Sequence, residues 1–402
     1  MNNARFSLFA LSTVALVAAL PLAAQDGTDI LQGHSRPPLH QLIIPGASPE
    51  AGPTGTFPSK MKVAYGFSQI TKYGAGEVIA LVDAYDDPNA EADLGTFDTE
   101  FKLPACTTAN GCFTKIMAAG TPADTSGWTN EIAIDTQWAH AIAPAAKILL
   151  VEAKSDSNAD LYAAVDLAVA NGATVVSMSW GGGEASNAAT SDSHFEVNHV
   201  TFVASSGDSG HGVFYPAASP FVVSVGGTTL TVGSNGAWDG ETAWSCNSTL
   251  ACEIDGGSSG GISAYEVEPS YQEGVQTTGM RGVPDVAYDG NPSTGVPEYN
   301  SYNCGSDCST GWAQYGGTSI GAPQWAALFA IANNERAADS KHHLYMPQTV
   351  LYPAAEADYH DITSGKNGSC GTVCTAGPGY DYVTGLGSPQ ANLLIPALVA
   401  AP

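Results

Sequence analysis

The sequence predicts an α/β protein with a mostly parallel central sheet and helices on both faces. Two observations lead there. Apolar, β-rich runs alternate with helical patterns from about residue 78 onward, and 44% of the 402 residues are hydrophobic, enough for a large packed core. A strand over residues 78–83 opens the series and a helix over 89–101 follows it. A second helix covers 131–143, where Ile132, Ile134, Trp138 and Ile142 face a core, and it leads into a strand at 147–153. The helix at 160–170 stops at Gly172, a residue suited to the left-handed conformation of a C-terminal cap. Strands at 173–180, 200–205 and 221–225 follow, and the apolar run 324–333 makes a late helix. No internal repeat or low-complexity tract breaks the pattern.

Ahead of the first strand, residues 25–58 carry Pro37, Pro38, Pro45, Pro49, Pro53 and Pro58 and predict an extended leader or linker. Residues 1–24 have the layout of a secretory signal peptide: Arg5, an apolar run over 6–22, then Ala23 and Ala24, with cleavage expected after Ala24. A membrane anchor is the alternative, but the run is short, contains Ser12, Thr13 and Pro21, and lacks a charged stop-transfer flank. No other stretch could span a bilayer, so a secreted or extracytoplasmic protein, free of the membrane after signal removal, is expected. The eight cysteines fall as close neighbours: Cys106 with Cys112, Cys246 with Cys252, Cys304 with Cys308, and Cys370 with Cys374. Local disulfides are the simplest reading for an exported chain. Zinc competes poorly, because the spacings are wider than C-x-x-C and no histidine stands beside them in a finger-like pattern. Acids outnumber bases 39 to 13, for a formal charge of -26, which argues against a nucleic-acid partner. Such a surface repels itself less in acid, where carboxylates neutralise, so an acidic working environment is expected.

The chemistry concentrates at Gly316-Gly317-Thr318-Ser319-Ile320-Gly321-Ala322-Pro323. The glycines permit a sharp turn and close approach of a substrate, and the helix that follows offers free N–H groups to a developing oxyanion. Ser319 is thus a candidate nucleophile, although an ordinary helix N-cap would use the same residue types. Glu131 and Asp135 stand at i and i+4 on a helix with core-facing neighbours, which places their Cβ atoms about 5 to 6 Å apart. Like charges held so close share a proton, and one member then serves as a base in acid while the other orients it. A solvated acidic helix edge is the plainer account of the same spacing. Asp208, in Ser206-Gly207-Asp208-Ser209-Gly210 just after a buried-looking strand, lies at the carboxyl edge where open α/β sheets build sites. Kept protonated there, it could donate to an oxyanion alongside the Ser319 N–H; an Asp in a Gly-Ser turn is the alternative.

Together these residues resemble the sedolisins, serine-carboxyl peptidases with a subtilisin-like fold. The likeness runs from the Gly-Thr-Ser stretch through the Glu131/Asp135 helix with Ala143-Pro144-Ala145-Ala146-Lys147-Ile148, Ser177-Met178-Ser179-Trp180-Gly181-Gly182, and Ser206-Gly207-Asp208-Ser209-Gly210. Gly260-Gly261-Ile262-Ser263 through Tyr271-Gln272, and Arg281-Gly282-Val283-Pro284-Asp285-Val286-Ala287, look similar as well. The resemblance covers about residues 61–389 and implies a peptidase domain over 59–402. It implies that Ser319 attacks a peptide carbonyl, Glu131 takes its proton, Asp135 supports Glu131 and Asp208 helps bind the oxyanion, through an acyl-enzyme, in a monomeric acid endopeptidase acting on proteins or peptides. Ser179, Trp180 and Gly181 would offer backbone to an extended substrate.

Near the C-terminus, Asp361 and Asp381 with the glycine-bent loop between them supply hard oxygen ligands suited to Ca2+. The resemblance extends to a structural calcium loop of one ion, with ligands at Asp361, the Ile362, Gly377 and Gly379 carbonyls, and Asp381. Two alternatives accompany this picture. One is a subtilisin-type Ser-His-Asp site that uses Asp83, disfavoured because no His-Gly-Thr-His phrase occurs and Glu131 stands where it would be. The other is a calcium-stabilised peptide-binding protein without turnover, which the intact set of Ser319, Glu131, Asp135 and Asp208 disfavours. Sedolisins generally carry a large N-terminal prodomain, whereas residues 25–58 stand between the expected signal and the peptidase region; folding without an intramolecular chaperone, reliance on a separate protein and use of the short leader as a modest inhibitor are the three alternatives.

Overall fold

Parallel strands alternating with helices bury both faces of one central sheet in the computed structural model, which describes residues 33–41, 52–246, 256–302, 311–354 and 356–402. The expected signal peptide and the Cys246–Cys252 and Cys304–Cys308 pairings lie outside these residues. The strands are β1 (Val78–Ala84), β2 (Phe113–Met117), β3 (Lys147–Ala153), β4 (Val175–Met178), β5 (Thr201–Ser205), β6 (Val222–Val232), β7 (Trp238–Ala243) and β8 (Val286–Asp289). They pair in the order β7-β6-β5-β4-β1-β3-β2, with β8 also alongside β6. Every pair is parallel except β6 with β7. The helices that flank the sheet are α1 (Ala90–Phe101), α2 (Trp128–Ile142), α3 (Asn158–Ala170) and α4 (Gly321–Ala338).

Side chains of β1 show why its run is apolar throughout. Ile79 and Leu81 join one core cluster with Ile132, Trp138, Trp325 and Phe329 of α2 and α4. Ala80, Val82 and Ala84 point the other way, into a second cluster with Leu161 and Val165 of α3. Because the order reverses at β1, its carboxyl end and that of β4 border the crevice where sheets of this kind build sites.

The expected elements formed, with informative differences. β6 runs eleven residues rather than the five of 221–225, because its second half pairs with β7 and β8. The edge strand β2 lacks a continuous apolar signal, since Thr114 and Lys115 interrupt its short run. A twelve-residue strand at Gly256–Val267 was also missed; its Gly-Ser composition resembles a loop, and pairing with Met280–Val283 and Ser209–His211 makes it a strand. Cys106–Cys112 and Cys370–Cys374 are closed as disulfides, with Cα–Cα distances of 4.9 and 5.2 Å.

The interior holds many carboxyl groups. Burial raises Asp87 and Asp98 to about 7, and Glu152 and Asp289 to about 8. A carboxyl whose folded pKa is raised binds its proton more tightly folded than unfolded. Its stabilising contribution is therefore complete below about pH 4, the unfolded value, and is lost as pH rises through 7 to 8. The melting temperature at pH 4 is expected to exceed that at pH 8, by on the order of 10 °C. A melting temperature that rises from pH 4 to pH 8 would contradict this.

Candidate active site

Each functional side chain is set by its local sequence. Asp124 starts α2: its Oδ2 accepts from Gly127 N at 2.9 Å and Thr129 N at 3.1 Å, and Gly127 takes the left-handed conformation needed to enter the helix. One turn later come Glu131 and Asp135, both fully buried. Ser179, just past β4, donates to Asp135 Oδ1 at 2.7 Å. Asp83, near the end of β1, completes a buried acidic cluster: burial first, then the charges of Asp135, Asp83 and Asp208, push Glu131 well above the usual carboxyl range. Asp135 is raised by burial and by Asp83, while its Ser179 bond opposes the rise; Asp83 is raised by burial and by Glu152.

Ser319 sits in a short turn of helix, Thr318–Ile320, at the mouth of α4. Its hydroxyl lies near enough to Glu131 to favour the ionised carboxyl. Yet Ser319 Oγ and both Glu131 oxygens are buried without a hydrogen bond of good geometry, so the contact is loose, as resting sites often are. No histidine is among the groups acting on Glu131. Asp83 is thereby brought beside the Glu131 cluster, whereas among the described residues no histidine acts on Glu131.

Asp208 is held by the residue that precedes the serine. Its Oδ1 accepts from Thr318 N and Thr318 Oγ1, both at 2.8 Å, and Thr318 Oγ1 in turn accepts from Gly207 N at 3.1 Å. Burial raises Asp208 well above the usual range, against the Thr318 bonds. Its Oδ2 faces Gly317, whose φ of +129° and crowded surroundings exclude a side chain. His40 Nε2 lies 3.3 Å from that oxygen.

Of the three residues assigned to substrate backbone, Gly181 exchanges two main-chain hydrogen bonds with Arg36 of the N-terminal segment, at 3.0 and 3.1 Å. The Ser179 hydroxyl is turned to Asp135, and the buried Trp180 donates its indole N–H to Val82 O at 2.7 Å. Sequence marks Thr318 as part of the Gly-Thr-Ser stretch and residues 33–41 as part of an extended leader, but not the groups that either one meets. Adjacency to Ser319 could have flagged Thr318; nothing in a proline-rich stretch signals the residue it will meet.

At the C-terminal loop, Asp361 Oδ2 accepts from Gly379 N at 3.0 Å and Asp381 Oδ2 from Gly377 N at 2.9 Å. Both carboxylates thus lean on one glycine turn, beside a buried Ile362. Asp361 Oδ1 is buried with no partner, an oxygen suited to a cation.

A fold of this order, with a serine at a helix mouth facing buried acids, defines a class, and the comparisons agree. The subtilase family model matches residues 114–365, more than half of the chain. The chain belongs to that family, and within it to the sedolisin branch. It is 33% identical over 385 residues to kumamolisin of Bacillus sp. (strain MN-32), covering 88% of this chain and 65% of that protein. It is 35% identical over 210 residues to sedolisin of Pseudomonas sp. (strain 101), covering 47% of this chain and 33% of that protein. The chain therefore spans less than two thirds of these relatives' own length. Among solved structures, Pseudomonas sedolisin, a serine-carboxyl proteinase complexed with two molecules of pseudo-iodotyrostatin, superposes with a TM-score of 0.73 at 28% identity, covering 86% of this chain and 98% of that one.

Proposed function

We propose that the protein is a secreted serine-carboxyl endopeptidase that works in acid. The observation that carries this is the convergence of Ser319, Glu131, Asp135 and Asp208 from α2, α4 and the β5 end into one buried cluster in which carboxyl groups, and no histidine, act on Glu131, while His40 meets Asp208. In this reading the buried acids share fewer charges than they have carboxyls, Glu131, which faces Ser319, serves as the base, and Asp135, held by Ser179, orients it. Glu131 takes the Ser319 proton as Oγ attacks the peptide carbonyl, and returns it to the leaving amine. Asp208, neutral because buried, donates from Oδ2 to the oxyanion while its Oδ1 stays anchored on Thr318. Activity then falls at low pH as Glu131 is protonated, and at high pH as Asp208 loses its proton. Endopeptidase action is supported by an extended segment that pairs with Gly181 at one end and with Gly316 and Tyr315 at the other, the kind of contact a chain extending in both directions would make.

The direct test is cleavage of an unfolded protein across pH 3 to 8 by the chain and by Ser319→Ala. Acid-peaked cleavage lost in the variant supports the reading. Cleavage that survives Ser319→Ala removes the nucleophile, and cleavage that peaks near neutral pH removes the carboxyl base.

Asp361, Asp381 and the Ile362, Gly377 and Gly379 carbonyls would hold one Ca2+, which would brace the loop rather than act in catalysis. EDTA is expected to lower the melting temperature by about 5 °C, the effect of about 4 kcal/mol of binding at a thousandfold excess over Kd. Asp381→Asn should abolish that response. An EDTA-insensitive melt would count against the ion.

A further inference from the structure

Ser319 and Glu131 come from different elements, and one antiparallel pair of strands links them. The second of these strands, Trp312–Gly316, leads through Gly317 into the turn that carries Ser319. The first, Val296–Tyr299, pairs with it from Val296 opposite Tyr315 to Tyr299 opposite Trp312. This first strand also grips α2 on both sides of Glu131 and Asp135. Beyond those acids, the Gln137 amide donates from Nε2 to Tyr299 O at 2.6 Å and accepts from Tyr299 N at 3.0 Å. Trp138 adds its indole N–H to Pro297 O at 3.0 Å. Ahead of the acids, Asn300 donates from Nδ2 to Asn130 Oδ1 at 2.7 Å and to Thr129 Oγ1 at 3.1 Å, and Thr129 Oγ1 donates to Tyr302 O at 2.9 Å. Gln137, Trp138, Thr129 and Asn300 are all buried, so water cannot take over a bond that is removed. An apolar side chain at 137 would serve packing; an amide that reads one peptide group in both directions also fixes where along α2 the strand sits.

We propose that Gln137 and Asn300 are positioning residues: they lock the strand pair that delivers Ser319 onto the helix that carries Glu131, and so set the spacing across which the serine proton moves. The proposal rests on the peptidase reading and adds to it the residues that hold nucleophile and base in register. Ser319 Oγ and both Glu131 oxygens lack a well-formed hydrogen bond at rest, so their own contact does not fix that spacing. The strand pair does, from a distance, through bonds that touch neither group. A shift of about 1 Å between such groups costs on the order of 100-fold in rate, while the surfaces that bind a peptide stay where they are. Loss of the clamp therefore lowers kcat and spares KM.

The test is peptide kinetics across pH 3 to 7 on the full chain and its variants, at a temperature well below every variant's melting point. Gln137→Met is expected to lower kcat by about 30-fold with KM within about threefold of the parent, and Asn300→Ala to do the same by about tenfold. Gln137→Glu separates positioning from packing. Protonated, its carboxyl offers one donor and one acceptor and restores both bonds to Tyr299; ionised, it only accepts. Its kcat relative to the parent should therefore be near one in acid and fall to the Gln137→Met level as pH rises. Val165→Ala, a core change in α3, controls for stability and should leave kcat unchanged at an equal loss of melting temperature. A Gln137→Met kcat close to the parent's, or one matched by Val165→Ala, overturns the proposal while the peptidase reading stands. So does a Gln137→Glu variant as slow in acid as Gln137→Met. If Gln137→Met does not fold, Asn300→Ala decides by the same split between kcat and KM. No cleavage by the parent at any pH overturns the peptidase reading and the proposal with it.

Discussion

Glu131→Gln is expected to lower kcat/KM on a peptide substrate by about 10⁴-fold, and to leave the melting temperature unchanged or raised. The amide keeps the shape of the side chain but cannot accept the Ser319 proton. It also withdraws one member from a cluster in which Asp135, Asp83 and Asp208 all disfavour a further charge. Catalysis and stability should therefore move in opposite directions, as they do where a strained charge arrangement serves chemistry. Peptide kinetics and thermal melts on the same preparation read both. Activity within tenfold of the parent would remove Glu131 from the base role, and a collapse of the melting temperature would make the residue structural. Asp83→Ala is the companion: activity lost there and kept in Glu131→Gln would restore a site built on Asp83.

The second large effect is on stability alone. Arg281→Met should cost about 3 to 5 kcal/mol in denaturant unfolding, the loss typical of breaking a buried ion pair from one side. Arg281 and Asp285 are both fully buried, and the guanidinium meets the carboxylate with two bonds, Nη1 to Oδ1 at 2.8 Å and Nη2 to Oδ2 at 2.6 Å. Ser224 N and Tyr352 Oη add bonds of 2.9 and 2.8 Å to the same carboxylate, and Tyr271 lies 5.6 Å from the guanidinium carbon. Asp285 thus ties β6, β8 and the segment at Tyr352 together, and without Arg281 its charge would be stranded in the interior. A loss under 1 kcal/mol would mean that the Ser224 and Tyr352 bonds hold the carboxylate well enough without Arg281.

The two effects sit on motifs that differed in legibility. Arg281 and Asp285 were visible as part of a resemblance, but their partnership was not, because Arg281 belongs to the strand Met280–Val283 and Asp285 lies beyond its end, so neither helical nor strand periodicity relates them. Glu131 and Asp135 were legible because helical periodicity alone sets their neighbourhood.

Sequence by itself determined the class of fold, the order of most strands and helices, the serine at a helix mouth and the paired acids of α2. These depend on local periodicity and on residue types that chemistry restricts. Only the tertiary structure decided which groups meet: Asp83 beside Glu131 and Asp135, Thr318 as the anchor of Asp208, and the Gly-Ser strand at Gly256–Val267. It also decided that a proline-rich leader crosses the cleft from Gly181 to Gly316. The physical reason is common to all four. Each arises from pairing between segments distant along the chain, where backbone hydrogen bonds and burial, not the residues' own preferences, choose the partner.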